Sequence, residues 1–574
     1  MDFRITGGNA NAKIEILNKA EKDGILTFDV KMTLPEKAIP ERFQINWNFP
    51  IHDCYSTWGP SIGGNRDLRP NWGKKRTDSR LAGWMPVHQI ISVTGRNRMA
   101  IAVSDAKTPM AILTGVCEET AELECRIEFF TNLVAPISEY TATVRMDFRD
   151  IAYYDSLYAV TEWWEKDCGY TPAFVPEYAK LPMNSLWYSY HQRLVPDEII
   201  RECKLSKELG MDTVIIDDGW QTDDNSRGYA YCGDWEVAKS KIPDMKKFVE
   251  DIHATGMKII IWYSVCFMGK YAKNYDKYKD MLLGDKRYNG AFDVLDPRYK
   301  EVRDFLIGLY VNAVKDWNLD GLKLDFIDCF RLMDPSEKKD DRRDIDSVED
   351  ATDILMTDIM KALTAIKPDI MIEFRQTYVG PAIRKYGNML RVGDCPNDAV
   401  KNRQEIVNLR FTSGKTAVHS DMVMWNVNEP VESAAQQVTN ILYSVPQISV
   451  KLETLPEEHK KMLKFYLSFW RENRDTLLDG KLLAANPESQ YSLVCSEKDG
   501  EAIFTAYTDI VVDLADYSKA VAVNCTRHDS LVIKNAEGKS YRVVNCMGDE
   551  LEAGTIGASL AEIRVPLSGM VFVK

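Results

Sequence analysis

Three short stretches place carboxylates where they could do chemistry: Ile215-Ile216-Asp217-Asp218-Gly219-Trp220, Leu322-Lys323-Leu324-Asp325 and Arg391-Val392-Gly393-Asp394, the last followed by Asp398. Each comes after a short apolar run of β type, so each carboxylate falls at the end of a strand. Paired carboxylates without His-rich metal spacing suit cleavage of a glycosidic bond, which needs one acid and one nucleophile or base. Asp325 is the candidate nucleophile. The adjacent Asp217 and Asp218 can accept hydrogen bonds from vicinal hydroxyls, while Trp220, Trp235 and Trp262 offer flat faces to the apolar side of a sugar ring. Taken singly, each of these tryptophans reads as a core aromatic. Their adjacency to carboxylates is what raises the sugar-binding reading.

Carboxylates at several strand ends require a scaffold that supplies parallel strands repeatedly. From about Leu181 apolar β-like runs alternate with amphipathic helical ones, the pattern of parallel βα units. Eight strands can be placed: 185–191, 213–218, 258–264, 321–327, 370–375, 389–394, 416–419 and 447–451. Several starts follow a glycine that ends the preceding helix, as in Leu209-Gly210-Met211, Thr255-Gly256-Met257 and Ser413-Gly414-Lys415. Such a barrel keeps its chemistry at the C-terminal ends of its strands. Before it, residues 1 to about 165 alternate with period two (Lys13-Ile-Glu-Ile-Leu, Ile25-Leu-Thr-Phe-Asp-Val-Lys-Met, Thr141-Ala-Thr-Val-Arg-Met-Asp-Phe), an antiparallel sandwich pattern. After about Asp479 short alternating segments return. The expected architecture is α/β: a central (β/α)8 TIM barrel over 176–478, an N-terminal antiparallel β-sandwich over 1–175 and a small C-terminal β-sandwich over 479–574. Between Cys54 and Trp84 the alternation breaks into a long loop with Trp58, Trp72 and Trp84. A loop of this length either overhangs the next domain's site and lends it a tryptophan, or is a surface excursion with buried aromatics.

Composition bounds the function from the other side. At 45% apolar and 28% charged residues the 574-residue chain is globular throughout. A formal net charge of −14 argues against nucleic acid and against an anionic membrane surface as partners. Twelve cysteines are scattered with no CxxC pair and no metal-ligand spacing, so they read as reduced thiols, and no metal or other cofactor is expected. The first residues lack the basic and apolar regions of a signal peptide, and no run of about 18 apolar residues occurs. A cytoplasmic location is the expectation.

At these same residues the chain resembles the α-galactosidases of glycoside hydrolase family 36 and, more loosely, families 27 and 31. The resemblance covers roughly 180–475. It is carried by Asp217-Asp218-Gly-Trp220, Gly233-Asp234-Trp235-Glu-Val with Lys241-Ile-Pro243, Ile259-Ile-Ile-Trp262 and Leu322-Lys323-Leu-Asp325. It implies a sandwich, barrel, sandwich order, a retaining mechanism on a small carbohydrate, a nucleophile at Asp325, an acid/base at Asp394 and frequent self-assembly. Asp398 competes with Asp394, but it follows Pro396 and is placed to begin the next helix as its N-cap. The Asp325 charge is expected to raise the pKa of Asp394. Lys323, Arg375, Gln376 and Asp398 complete the expected substrate-binding set. Two departures from the family stand out. The segment after strand three reads Trp262-Tyr-Ser-Val-Cys-Phe instead of Trp-Phe-Glu-Pro-Glu, and the one after strand five reads Glu373-Phe-Arg375-Gln376-Thr-Tyr378 in place of a Cys-Ser-Gly-rich run. The second leaves the glycone open between galactose, N-acetylgalactosamine, glucose, xylose and an acidic sugar. Arg375 would either read a substituent at the rim of the sugar site or pair with Glu373 or a neighbouring Asp. A transglycosidase and a catalytically inactive sugar-binding protein are the competing readings.

Overall fold

The computed structural model describes residues 1–284, 290–334 and 339–574. Alternation along Ile25–Ala38 buries Leu26, Phe28, Val30, Met32 and Leu34 on one face, as a strand's two-residue period requires. With eleven more strands this one forms two six-stranded sheets that enclose one core, with Phe43, Ile45, Trp47, Ile101, Ile112, Ile127 and Val144 at its centre. The helix Tyr153–Lys166 leads out of this sandwich.

The central sheet has eight parallel strands: β1 (Met183–Ser185), β2 (Thr213–Ile216), β3 (Lys258–Ser264), β4 (Gly321–Asp325), β5 (Met371–Arg375), β6 (Met389–Arg391), β7 (Ala417–His419) and β8 (Gln447–Ile448). Their spatial order is β7-β6-β5-β4-β3-β2-β1-β8, and the bridges His419 to Val445 and Val423 to Ile448 draw its two ends together into a nearly closed barrel. Helices such as Pro196–Leu209, Lys300–Trp317, Val348–Ile366 and Ala399–Arg410 connect successive strands. Gly210 ends the first of these at φ 105°, a left-handed conformation in which its N–H reaches back to the carbonyls of Lys207 and Ser206.

The expected architecture is therefore present, with one strand misplaced. Residues 186–191 do not continue the first strand; after Ser185 the chain turns into the short helix Trp187–Tyr190. The Trp-Tyr-Ser-Tyr run is rich in strand-favouring residues, but the ladder to Thr213–Ile215 and Gln447–Ile448 stops at Ser185. The last segment folds into a seven-stranded and a three-stranded sheet around Phe504, Val512, Leu531, Ile533 and Val571.

Candidate active site

Strand register brings the site together. β3, β4 and β5 align Trp262 with Lys323 and Lys323 with Glu373, and β5 and β6 align Arg375 with Arg391. Asp325 and Arg375 are the last residues of their strands, and the residue after each is left-handed although it is not glycine: Phe326 at φ 61° and Gln376 at φ 56°. Backbone of this kind is strained and concentrates at functional sites.

Asp325 is 2% exposed, and four donors hold its carboxylate. Oδ2 accepts from Trp262 Nε1 at 2.9 Å and from Arg375 Nε at 2.7 Å; Oδ1 accepts from the Phe326 N–H at 2.8 Å and from the Tyr378 hydroxyl. Burial pushes its pKa up, but the Arg375 and Lys323 charges, with the Trp262 and Tyr378 hydrogen bonds, outweigh burial and hold the carboxyl below its ordinary range. A buried, ionised carboxylate at a barrel strand end can act as a nucleophile.

Asp394 lies just beyond β6, with its side chain 41% exposed. Arg391 Nη2 donates to it at 2.7 Å and Arg375 Nη1 at 3.1 Å, so a single guanidinium spans both candidate catalytic carboxylates. The expected rise in the Asp394 pKa is overturned. Burial acts upward, but Arg391 and then Arg375 hold the carboxyl well below its ordinary range. Glu373 is not the partner of Arg375; it is fully buried in the barrel and accepts from Gln447 Nε2 at 2.5 Å. Nor does Arg375 sit free at a rim, since it is 7% exposed and lies between the two aspartates. Gln376 is half-buried and points its amide at Asp394, 3.4 Å away. Asp398 caps the helix Ala399–Arg410 through a bond from the Lys401 N–H at 2.9 Å.

The tryptophans expected as sugar platforms are buried instead. Trp220 is 0% exposed, packs on Trp235, Tyr263 and Trp317, and donates its indole N–H to the Trp262 carbonyl at 2.9 Å. Trp235 is 5% exposed and lies against Trp220, Trp262 and Tyr263, which leaves it no open face. Trp262 is 2% exposed and holds Asp325 through its indole N–H. Trp262 lies within β3, Trp220 four residues beyond β2 and Trp235 in the turn after Gly233, and all three pack on other aromatic rings beneath the site.

Asp217 and Asp218 are likewise held by protein. Asp217 pairs with Lys323 Nζ at 2.6 Å, and the Asp218 oxygens accept from Gln192 and Gln221, both at 2.6 Å. Gly219 makes this turn possible at φ 114°, where a Cβ would stand 2.5 Å from the Gln192 backbone. Burial pushes Asp218 up to about 6. A carboxyl raised in the folded state stabilises most below its unfolded pKa and progressively less as pH rises through the folded value. Asp218→Asn is therefore expected to gain stability relative to the native protein as pH rises from about 4 to about 7, by about 2 kcal/mol. Thermal melts of both proteins across that range check it; a difference independent of pH would show that Asp218 does not titrate there.

Three participants escaped the sequence reading. Tyr378 holds Asp325, and Asp421, two residues beyond β7, accepts from Arg391, from the Tyr188 hydroxyl at 2.9 Å and from the Cys395 N–H at 2.7 Å. Asp421 obeys the same strand-end rule as the carboxylates that were found. The third is Arg80 of the N-terminal sandwich, whose Nη1 donates to the carbonyl of Asp328 at 2.9 Å, in the turn after Asp325. Of the loop tryptophans, Trp58 is buried between Asn408 and Tyr491, Trp72 is 79% exposed, and Trp84 reaches the barrel, its N–H bonded to the Thr377 carbonyl beyond β5 at 2.6 Å. The sandwich thus grips the turns after both β4 and β5. Arg80→Met should lower stability by about 1–3 kcal/mol and reduce kcat more than it raises KM, because the turn that orients Asp325 loses a charged donor. Denaturant melts and steady-state kinetics test this, and unchanged kcat would reduce Arg80 to a domain tie.

Among the described residues no group of three or more His, Cys, Asp and Glu side chains is placed to hold a metal ion, and no helix is long and apolar enough to cross a membrane.

The model of the family described as Melibiase matches residues 183–480, just over half of the chain, and that span contains the eight barrel strands and the candidate-site carboxylates. The chain belongs to this family. Among curated relatives, α-galactosidase Mel36A of Lactobacillus acidophilus is 30% identical over 128 residues, 21% of this chain and 17% of that protein. The bifunctional α-galactosidase/sucrose kinase AgaSK of Mediterraneibacter gnavus is 28% identical over 147 residues, 24% of this chain and 15% of that one. The alignments thus span less than a fifth of those relatives. Solved structures confirm the fold over the whole chain. The galactosidase domain of AgaSK superposes with a TM-score of 0.65 at 13% identity, covering 100% of this chain and 85% of that one. The family 36 α-galactosidase AgaA of Geobacillus stearothermophilus, solved with raffinose, gives 0.65 at 14%, covering 100% and 86%.

Proposed function

We propose that this melibiase-family protein is a retaining α-glycoside hydrolase of α-galactosidase type. The observation that carries the reading is Asp325: a buried, ionised carboxylate at the end of β4, held by four donors inside the span matched by the family. In this reading Asp325 attacks the anomeric carbon and the glycosidic oxygen leaves, forming a covalent glycosyl-aspartate. Asp394 gives the leaving oxygen its proton and then takes one from the water that cleaves the ester. In the resting site Asp394 is a carboxylate clamped between two guanidiniums, a weak base and an unprotonated acid, so both of its steps require substrate to loosen that clamp. Asp217, Asp218, Lys323 and Gln376 border the sugar site, and Trp262 and Tyr378 keep the nucleophile oriented. The solved relatives with raffinose and with stachyose support an oligosaccharide substrate. A panel of aryl α-glycosides (galactose, N-acetylgalactosamine, glucose, xylose, galacturonate) tests the reading; turnover of at least one is expected, and inertness toward all of them would refute it.

A further inference from the structure

We infer that Arg375 makes the enzyme selective for α-glycosides carrying an anionic oxyacid group, carboxylate or phosphate, beside the anomeric carbon. The inference rests on the hydrolase reading above and goes beyond it in naming the substrate's charge. A carboxylate has about four lone-pair positions. Those of Asp325 are all occupied, by Trp262, Arg375, Phe326 and Tyr378. An attack on carbon needs one of these pairs, so one donor must withdraw.

Three of the donors are poorly placed to do so. The Phe326 N–H is backbone at a strand end, the Trp262 indole is 2% exposed beneath Trp235, and Tyr378 is 0% exposed. Arg375 differs because its guanidinium continues past Asp325 to Asp394, whose side chain is 41% open to solvent. It is the donor that reaches the open side of the site. Its departure separates one positive charge from two carboxylates, and a neutral hydroxyl does not replace what is lost. A carboxylate or phosphate does, since each accepts two parallel N–H bonds from one guanidinium. The other cations nearby are already engaged, Lys323 by Asp217 and Arg391 by Asp421 and Asp394. Once Asp325 is esterified it is neutral, so Arg375 loses that charge partner and can stay with the substrate's anion.

The anion has two sources that share this chemistry. On the glycone it is a uronate carboxylate. On the leaving group it is phosphate: the bond from the anomeric carbon to oxygen breaks, the electron pair leaves with phosphate, and no proton from Asp394 is needed. Water then cleaves the ester and gives its proton to Asp394.

The test uses the full-length protein with para-nitrophenyl α-galactoside, para-nitrophenyl α-galacturonide and α-galactosyl phosphate. In the native enzyme one anionic substrate should exceed the neutral one in kcat/KM by about 100-fold or more, and which one does so identifies the source. Arg375→Met should cut that preference by about tenfold or more, and Arg375→Lys should retain part of it. A native preference for the neutral galactoside overturns the inference whether or not the variants fold. So does a ratio unchanged in both folded variants. Turnover of the neutral glycoside alone sinks this inference and leaves the hydrolase reading standing, whereas inertness toward all three together with the wider panel sinks both.

Discussion

Asp325→Ala is expected to lose about 10⁴-fold or more in kcat on an aryl α-glycoside while substrate binding survives. In the proposed mechanism the carboxylate forms the covalent ester, and its removal leaves the Trp262, Arg375 and Tyr378 donors aimed at a space where a small anion fits. Azide should enter that space and restore part of the turnover with the activated substrate. Because azide replaces the first displacement and no second follows, the product is a glycosyl azide of anomeric configuration opposite to the normal product. Failure of rescue in a variant that folds and binds would remove the nucleophile role from this position.

The second large effect concerns Asp394→Ala. General acid catalysis contributes about 10²–10⁴-fold where the leaving oxygen is a poor one. The variant should therefore lose about that factor on an oligosaccharide and far less in the first step on an aryl glycoside, whose leaving group departs unaided. Asp398→Ala is the paired control. It removes a helix N-cap and should lower stability by about 1 kcal/mol with little change in turnover. Equal losses on both substrate types for Asp394→Ala, or the leaving-group dependence appearing in Asp398→Ala, would transfer the acid role to Asp398.

The barrel was legible because its signals are local. Apolar runs of strand length recur between amphipathic helices, and glycines such as Gly210 close the helices where the next strand must begin. The same locality found Asp325 and Asp394, since each ends or directly follows an apolar strand. What the sequence hid depends on register and depth. That Arg375 faces Arg391 across a ladder, and so finds Asp325 and Asp394 in place of Glu373, is fixed by how β5 and β6 align. The pKa of Asp394 followed: carboxylate proximity predicts a rise, but two guanidiniums within hydrogen-bonding distance reverse it. Trp220, Trp235 and Trp262 were placed correctly next to carboxylates yet on the wrong side of them, because spacing along a strand does not tell the packed layer from the open one. Arg80 was invisible for a simpler reason. Its partner, Asp328, lies 248 positions away in another sheet system.

The central claim, that Asp325 takes the glycosyl group and passes it to water, is tested most directly by following an aryl α-galactoside, or whichever α-glycoside the panel shows to be turned over, by proton NMR from the first turnovers. Double displacement at Asp325 predicts that the α-anomer of the free sugar appears first and relaxes only later toward the β-anomer by mutarotation. A β-anomer formed first would mean a single displacement by water and would contradict the account.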